Sequence, residues 1–416
     1  DLYRDPEEIE AAERLDPVPG LRQSILDAGF ATEDELATIE AENLTLVEAD
    51  CARAEAAADP DPATVMDFLW PEPWAAQETA TPDDGDKWKL REAINETLHA
   101  EFARNEHAFL WGQDVASKDK GGVFNVTKGM QQAFGRGRVF NGPIAEDYIV
   151  GTANGLCRFS DDIRVVVEAA QFADYVWPAM EQIVEMTHEY WRTRGQFSPN
   201  VTLRLSSGGY IGGGLYHSQN VEAIMGHLPG VRIVAPAFAD DAAGLLRTCL
   251  RSRGMSFFLE PKFLYNQNFA ATPACGPEHA VPFGKARIRR EGTDATVVAW
   301  GTPVHWSLRA ANKLAKEGHE VEVIDLRSIK PWDFDTVSRS IRRTGKVLVV
   351  HEDHLTNGFG AEIAARIASD CFEWLDAPVR RVAAKDVPIG FSRILERATL
   401  PDESDVIDAL RALLAY

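Results

Sequence analysis

The chain has 416 residues, 45% of them hydrophobic and 26% charged, enough to bury two sizeable cores with an appendage left over. Its formal charge of -21 is local: residues 1–86 hold 24 acidic residues against four arginines, whereas the other 330 residues hold 40 against 39. A near-neutral globular part argues against nucleic acid or an anionic membrane as an electrostatic partner. Five cysteines without a CxxC pair predict neither a disulfide framework nor a zinc site, so a reducing cytosol is the expected compartment. No apolar run of about 18 residues predicts a membrane span, and no secretory signal opens the sequence. A start at Asp1 without Met is expected of a processed product or of part of a longer polypeptide.

Residues 1–45 predict short helices. Leu21, Ile25 and Leu26 share a face before Gly29, and Thr32 with Glu35 makes a capping box ahead of Leu36 and Ile39. From residue 48 to 86 Ala, Asp and Pro dominate, with breakers at Asp59-Pro60-Asp61-Pro62 and Pro71-Glu72-Pro73, which predicts a linker or an arm that wraps a neighbour. A helix pattern then runs through Leu90, Ile94, Leu98 and Phe102 into an apolar strand over 108–111. Further buried-type strands are expected over 165–170, 201–205, 232–235 and 257–259, alternating with helices, which predicts a parallel or mixed sheet covered on its faces. Near Gly284 a second unit begins, with strands over 296–300, 321–326 and 347–350 and helices over 306–316 and 334–342, a smaller doubly wound domain.

Three stretches place single polar groups among apolar or small neighbours. Glu146 follows Asn141-Gly142-Pro143-Ile144-Ala145 and precedes Ile149 and Val150, so desolvation is expected to favour its neutral form, as a proton carrier near pH 7 requires. Three residues after a proline, it also reads as an ordinary acid in the first turn of a helix. Gln171-Phe172-Ala173-Asp174-Tyr175 closes the strand over 165–170, where ligands bind in such sheets, although Phe172 and Tyr175 read equally well as core aromatics. His217 follows Gly208-Gly209 and Gly212-Gly213-Gly214 and leads towards a helix, a setting that suits an imidazole proton-transfer group. No Lys-Ser or Lys-Thr follows those glycines, so a phosphate loop is a poor reading. His351-Glu352-Asp353-His354 lacks the spacing of a zinc protease and is expected to be a solvated strand end. No Gly-x-Ser-x-Gly elbow occurs, which removes the usual α/β-hydrolase.

From Lys89 to Tyr416 the chain resembles the β subunit of thiamine-diphosphate-dependent 2-oxo acid dehydrogenases, the first component (E1) of those complexes. The resemblance rests on residues 138–146, with Arg138-Val139-Phe140-Asn141-Gly142 leading into Glu146, on Gln171 to Tyr175, and on Gly214-Leu215-Tyr216-His217-Ser218-Gln219. It is extended by His227-Leu228-Pro229-Gly230-Val231, Asn357-Gly358-Phe359-Gly360-Ala361-Glu362-Ile363 and Asp376-Ala377-Pro378-Val379-Arg380-Arg381-Val382. Residues 1–75 resemble instead the carboxyl-terminal tail of the α subunit, through Asp5-Pro6-Glu7-Glu8 and the two helices that follow, which implies a fused α-β polypeptide. The implied fold is α/β: an α-like tail and acidic linker over 1–86, a transketolase-like pyrimidine-binding domain over 87–275, and a transketolase C-terminal-like domain over 276–416.

By this resemblance Glu146 hydrogen-bonds the aminopyrimidine of thiamine diphosphate and shuttles it to the imino form that deprotonates the thiazolium. His217 assists acyl transfer to lipoamide, and Ile144, Gln171 and Tyr175 line the pyrimidine pocket. Potassium is bound by some relatives through backbone near Thr202 and Cys249, but Arg251-Ser252-Arg253-Gly254-Met255 departs from their pattern. The Gly-Asp-Gly signature for magnesium diphosphate is missing, so the Mg2+ ligands are expected from the α part. The implied partners are that α part, a second copy in an α2β2-like assembly, and a lipoyl-bearing acyltransferase. The substrate is expected to be a branched-chain 2-oxo acid, from Gln171 to Tyr175 and from Glu260-Pro261-Lys262-Phe263-Leu264-Tyr265. The alternatives are a pyruvate or acetoin enzyme of the same kind, and a non-catalytic assembly subunit.

Overall fold

The computed structural model describes residues 5–117, 120–169 and 171–416, and the chain divides into two compact units, Asp1–Met66 and Asp67–Tyr416. The first unit holds α1 (Pro6–Glu13), α2 (Pro17–Asp27) and α3 (Glu33–Glu55). Each helix starts at a capping side chain: Asp5 accepts from the Glu7 N–H, Asp16 from the Val18 N–H, and Thr32 with Glu35 closes the expected capping box. Arg22 on α2 donates to Glu33 and Glu40 on α3, and no residue of the three helices is buried. The linker expected from residue 48 begins later, because α3 continues to Glu55 through an alanine- and glutamate-rich run of good helix formers.

The larger unit begins with a segment that lies on its own body. Trp74 N–H donates to Ser252 Oγ at 3.1 Å, Thr81 Oγ1 to Asp240 at 2.9 Å, and the Arg327 guanidinium grips both oxygens of Glu78 at 2.7 and 3.1 Å. An arm expected to wrap a neighbour is therefore held, between residues 74 and 81, by buried groups of the same chain. In chain order there follow β1 (Lys87–Trp88), α4 (Leu90–Arg104), β2 (Ala108–Gly112), α5 (Met130–Phe134), β3 (Val139–Asn141), α6 (Glu146–Cys157) and β4 (Arg164–Glu168). Then come α7 (Met180–Arg192), β5 (Val201–Ser207), α8 (Glu222–His227), β6 (Arg232–Val234), α9 (Ala239–Arg251), β7 (Ser256–Pro261) and β8 (Thr272–Pro273). The remainder is β9 (Arg287–Arg290), β10 (Ala295–Ala299), α10 (Thr302–Ala315), β11 (Val321–Asp325), β12 (Ser328–Lys330), α11 (Phe334–Thr344), β13 (Val347–His354), α12 (Phe359–Asp370), β14 (Arg380–Ala384), α13 (Arg393–Thr399) and α14 (Glu403–Leu414).

A seven-stranded sheet has the order β12-β6-β7-β5-β4-β2-β3, parallel except for β12. Helices cover both faces of its central strands, with Ile149, Val150 and Ile183 on one side and Ile94, Leu98 and Leu245 on the other, so that β4 carries a run of three valines, whereas β5 alternates Val201, Leu203 and Leu205 with buried Thr202, Arg204 and Ser206. A five-stranded sheet, β14-β13-β10-β11-β9, is parallel except for β9 and forms the second, doubly wound layer. Ala170, expected at the end of one strand, lies outside the described residues, and β4 ends at Glu168. The three-residue β12 carries too few residues to show a period, yet it crosses from the second layer to pair Ser328 with Val234 on the first sheet.

Candidate functional site

Strands β2, β3, β4 and β5 run parallel, so their carboxyl ends and the loops that follow lie on one side of the sheet, where open α/β sheets bind ligands. Glu146 is the first residue of α6, after Ala145 at the N-cap. Its Oε1 accepts a 2.7 Å hydrogen bond from Nε2 of Gln113, which also donates to the Ala169 carbonyl at 2.8 Å. The residue after Gln113, Asp114, has φ of 58°, the left-handed region that ordinary residues avoid, and its Oδ2 accepts from Nε2 of Gln171 at 2.5 Å. Gln113 and Asp114 thus join two of the expected site residues from the end of β2.

The expectation of an enclosed carboxyl group at Glu146 is corrected. The residue is half-buried, and Ile144 beside it is 85% exposed. Helix geometry gives the reason: Ile149 and Val150, three and four positions on, turn into the core, whereas residues 143 and 144 precede the first turn and face outward.

His217 stands edge-on to two rings, Phe172 at 4.3 Å and Tyr175 at 5.6 Å between centroids. The two short motifs expected to cooperate are therefore in contact, and Tyr175 remains 39% exposed beside the imidazole. Beneath them Arg204 forms a paired fork with Glu260, at 2.7 and 3.0 Å, and reaches Glu168 at 3.0 Å. Burial pushes the Glu168 carboxyl up to about 7, against the opposing pull of Arg204. Tyr265 closes this layer with a 2.5 Å bond to Glu260.

Gln113, Asp114, Glu168 and Lys262 were missed by sequence reasoning as site residues. The one signal for the first two is Gly112, where a Cβ would collide with the Glu168 carbonyl, so the strand end must be bare.

Thr202 sits inside β5, paired to Val166 and Ser256, and Cys249 is buried in α9 with its thiol pushed up to about 12 by burial. Near them the Arg253 carbonyl already accepts from Arg232 at 2.6 Å, and the Gly254 N–H is satisfied by Asn200 at 2.9 Å. The neighbouring Arg251 guanidinium is paired with Glu101 and Glu278, and that of Arg253 with Asp161.

The strand end at residues 351–354 is also corrected, since His351 and Glu352 are buried rather than solvated. The strand runs on as β13 under Trp300, on which His351 stacks at 5.5 Å, and burial holds its imidazole down to about 3. Among the described residues no group of three or more His, Cys, Asp or Glu is placed to hold a metal ion. No helix of the described residues is long and apolar enough to cross a membrane.

Residues 86–267 match the family described as transketolase, pyrimidine binding domain, and residues 284–406 match transketolase, C-terminal domain. The chain is 38% identical to 2-oxoisovalerate dehydrogenase subunit beta 2, mitochondrial, of Arabidopsis thaliana, over 80% of this chain and 91% of that protein. It is 37% identical to the 2-oxoisovalerate dehydrogenase subunit beta of Bacillus subtilis, over 78% of this chain and 98% of the relative. It is 36% identical to the pyruvate dehydrogenase E1 component subunit beta of Rickettsia felis, over 79% and 98%. Among solved structures, a split gene transketolase in an inactive β4 tetramer superposes with a TM-score of 0.63 over 79% of this chain and 99% of that one, at 24% identity, a likeness of fold.

Proposed function

The chain belongs to the family of 2-oxo acid dehydrogenase β subunits, and from that premise we propose that it serves the branched-chain type, working with thiamine diphosphate only when joined by an α part. The observation that carries this reading is the Glu146 carboxylate at the strand ends: Gln113 fixes one oxygen, and Oε2 has no hydrogen bond among the described residues. The donor set fits the aminopyrimidine end of the cofactor, with a carboxylate acceptor, the exposed apolar Ile144, the Gln171 amide and the half-open Tyr175 ring. When bound, thiamine diphosphate supplies the nucleophile and the electron sink for decarboxylation.

The residues of this chain hold and move protons around it. Glu146 would accept and return a proton at Oε2 towards the aminopyrimidine, and Gln113, which donates to Oε1, would hold the carboxylate in place. His217, held edge-on to Phe172 and Tyr175, would give or take a proton at a ring nitrogen during acyl transfer to a lipoyl group. The exposed Ile144 and the half-open strand ends suit a cleft completed by another polypeptide, which would also bring the Mg2+ ligands. Helices α1 to α3 are assigned to an α-like tail, and a second copy and a lipoyl-bearing acyltransferase complete the assembly. Five free cysteines, four of them buried, fit a reducing cytosol.

The test is reconstitution: the chain alone is expected to be inactive and to bind cofactor weakly, and addition of an α part restores turnover. Full activity of the isolated chain overturns the reading. Comparing kcat/KM for 2-oxoisovalerate and pyruvate on the assembled enzyme decides the substrate, since an apolar pocket separates one methylene by about 1–3 kcal/mol. A ratio favouring pyruvate supports the pyruvate type, for which the Rickettsia felis relative stands.

A further inference from the structure

The segment carrying His217 is glycine-rich, with five glycines from 208 to 214, and its apolar anchor is Tyr210, which packs on Phe263 and Trp306 and donates to the Pro401 carbonyl at 2.6 Å, whereas Leu215 and Tyr216 point outward, 51% and 66% exposed. Its backbone is also tied to three carboxyl groups. Glu352 Oε1 accepts from the Gly209 N–H at 2.5 Å, and Glu396 Oε1 accepts from the Gly212 N–H at 2.9 Å. Asp174 Oδ1 accepts from the N–H groups of Ser218 and Gln219 at 3.2 and 3.1 Å, on the far side of His217. All three carboxyl groups are buried, where a hydrogen bond to a backbone amide is strong. Gly208 allows the approach, because a Cβ there would collide with Glu352 Oε1.

Lys262, next to the end of β7, completes the arrangement. It is 3% exposed, its Nζ has no hydrogen bond among the described residues, and it lies 5.6 Å over the Phe172 ring that meets His217. Burial lowers the Lys262 amine to about 8, against the attraction of Asp174, Glu352 and Glu396. Two of the four groups, Glu352 on β13 and Glu396 on α13, lie within the region matching the transketolase C-terminal domain, whereas the loop itself follows β5 in the pyrimidine-binding region.

We propose that Glu352, Glu396 and Asp174, with Lys262 offsetting their charge, form a three-point clamp that positions the His217 loop for acyl transfer, so that the carboxyl-terminal domain acts on the reaction through this loop. These are positioning residues, and the assignment of the acyl-transfer step rests on the function proposed above. The clamp depends on acceptor oxygens at fixed places. Glu396→Gln keeps an oxygen where Gly212 needs it, whereas Glu396→Ala removes it.

In the enzyme assembled with its α part, two half-reactions are measured: decarboxylation read with an artificial electron acceptor, and acylation of a lipoylated domain. Glu396→Ala is expected to lower acylation at least about tenfold, since a displacement of 1 Å can cost on the order of 10²-fold, and to leave decarboxylation within about twofold. Glu396→Gln restores acylation to within about threefold of the parent. Unchanged acylation in Glu396→Ala, or equal defects in both variants, overturns the clamp. Hydrogen exchange on the unsubstituted chain judges it independently of any activity or of how the variants fold. Protection of the Gly209, Gly212, Ser218 and Gln219 amides is expected, and exchange at free-loop rates overturns it. A parent assembly that does not acylate a lipoyl group defeats the proposed function, and the exchange result still decides the clamp.

Discussion

The two strand ends around Glu146 and around Glu352 invert what their sequences suggest. Glu146 has apolar neighbours in sequence and is half-open; Glu352 stands among charged and polar residues and is buried. The difference lies in what each meets across the fold. Glu146, at the start of a helix beyond the strand ends, is half-buried beside the exposed Ile144, and Gln113 donates to its carboxylate. Glu352 lies where the two sheets share one core, with the Gly209 amide on one side and Lys262 near by, and burial raises it to about 7. An open acid at the strand ends suits contact with a ligand, and an enclosed one suits holding backbone in place.

The largest effect is expected at the open acid. Glu146→Gln should lower turnover of the assembled enzyme by about 10²–10⁴, with the unfolding free energy of the chain changed by less than about 0.5 kcal/mol. Unchanged turnover would point to a non-catalytic assembly subunit and would end that contrast. Next comes the enclosed side. Arg204→Ala leaves Glu168 and Glu260 buried without their shared cation and should cost about 3–5 kcal/mol in urea unfolding.

A pH comparison sharpens the contrast further. The Glu352 carboxyl is raised in the fold, so the folded chain binds the extra proton more tightly than the unfolded chain. Its contribution is present below the ordinary value of 4.5 and is lost as pH rises through about 7. Glu352→Gln should therefore gain on the parent between pH 5 and pH 8 by up to about 3 kcal/mol, read from unfolding curves at both pH values. A constant difference across that range would mean that Glu352 is not held in its neutral form. The smallest effect on the fold is expected at Ile144→Ala, whose side chain is exposed: stability within about 0.5 kcal/mol, but cofactor affinity of the assembled enzyme lower by roughly 10-fold or more if a partner buries that side chain. Equal affinity would place the cofactor elsewhere.

Much of the architecture is legible in the residues. The capping box at Thr32 and Glu35, the β-branched runs of β4 and β5, and the helix after Pro143 stand where local chemistry puts them, because each depends on neighbours within a few positions. The pairing of Gln171 to Tyr175 with His217 was also open to reading, since both follow strands that end on the same side of one sheet. Gln113 and Asp114 escaped because a lone amide and a lone acid after a short strand carry no pattern, and their meaning comes from Glu146 and Gln171, 33 and 57 positions away. Lys262 and Glu396 escaped for the same reason.

From its sequence alone this protein has its element types, its two α/β layers and the short motifs at Glu146, Gln171 and His217, because periodicity, capping and turn chemistry act over a few residues. Which carboxylates are open and which are enclosed was decided by tertiary structure. Burial is a property of the surfaces that meet, and β13 reaches the glycine loop at Gly209 across 143 positions of chain.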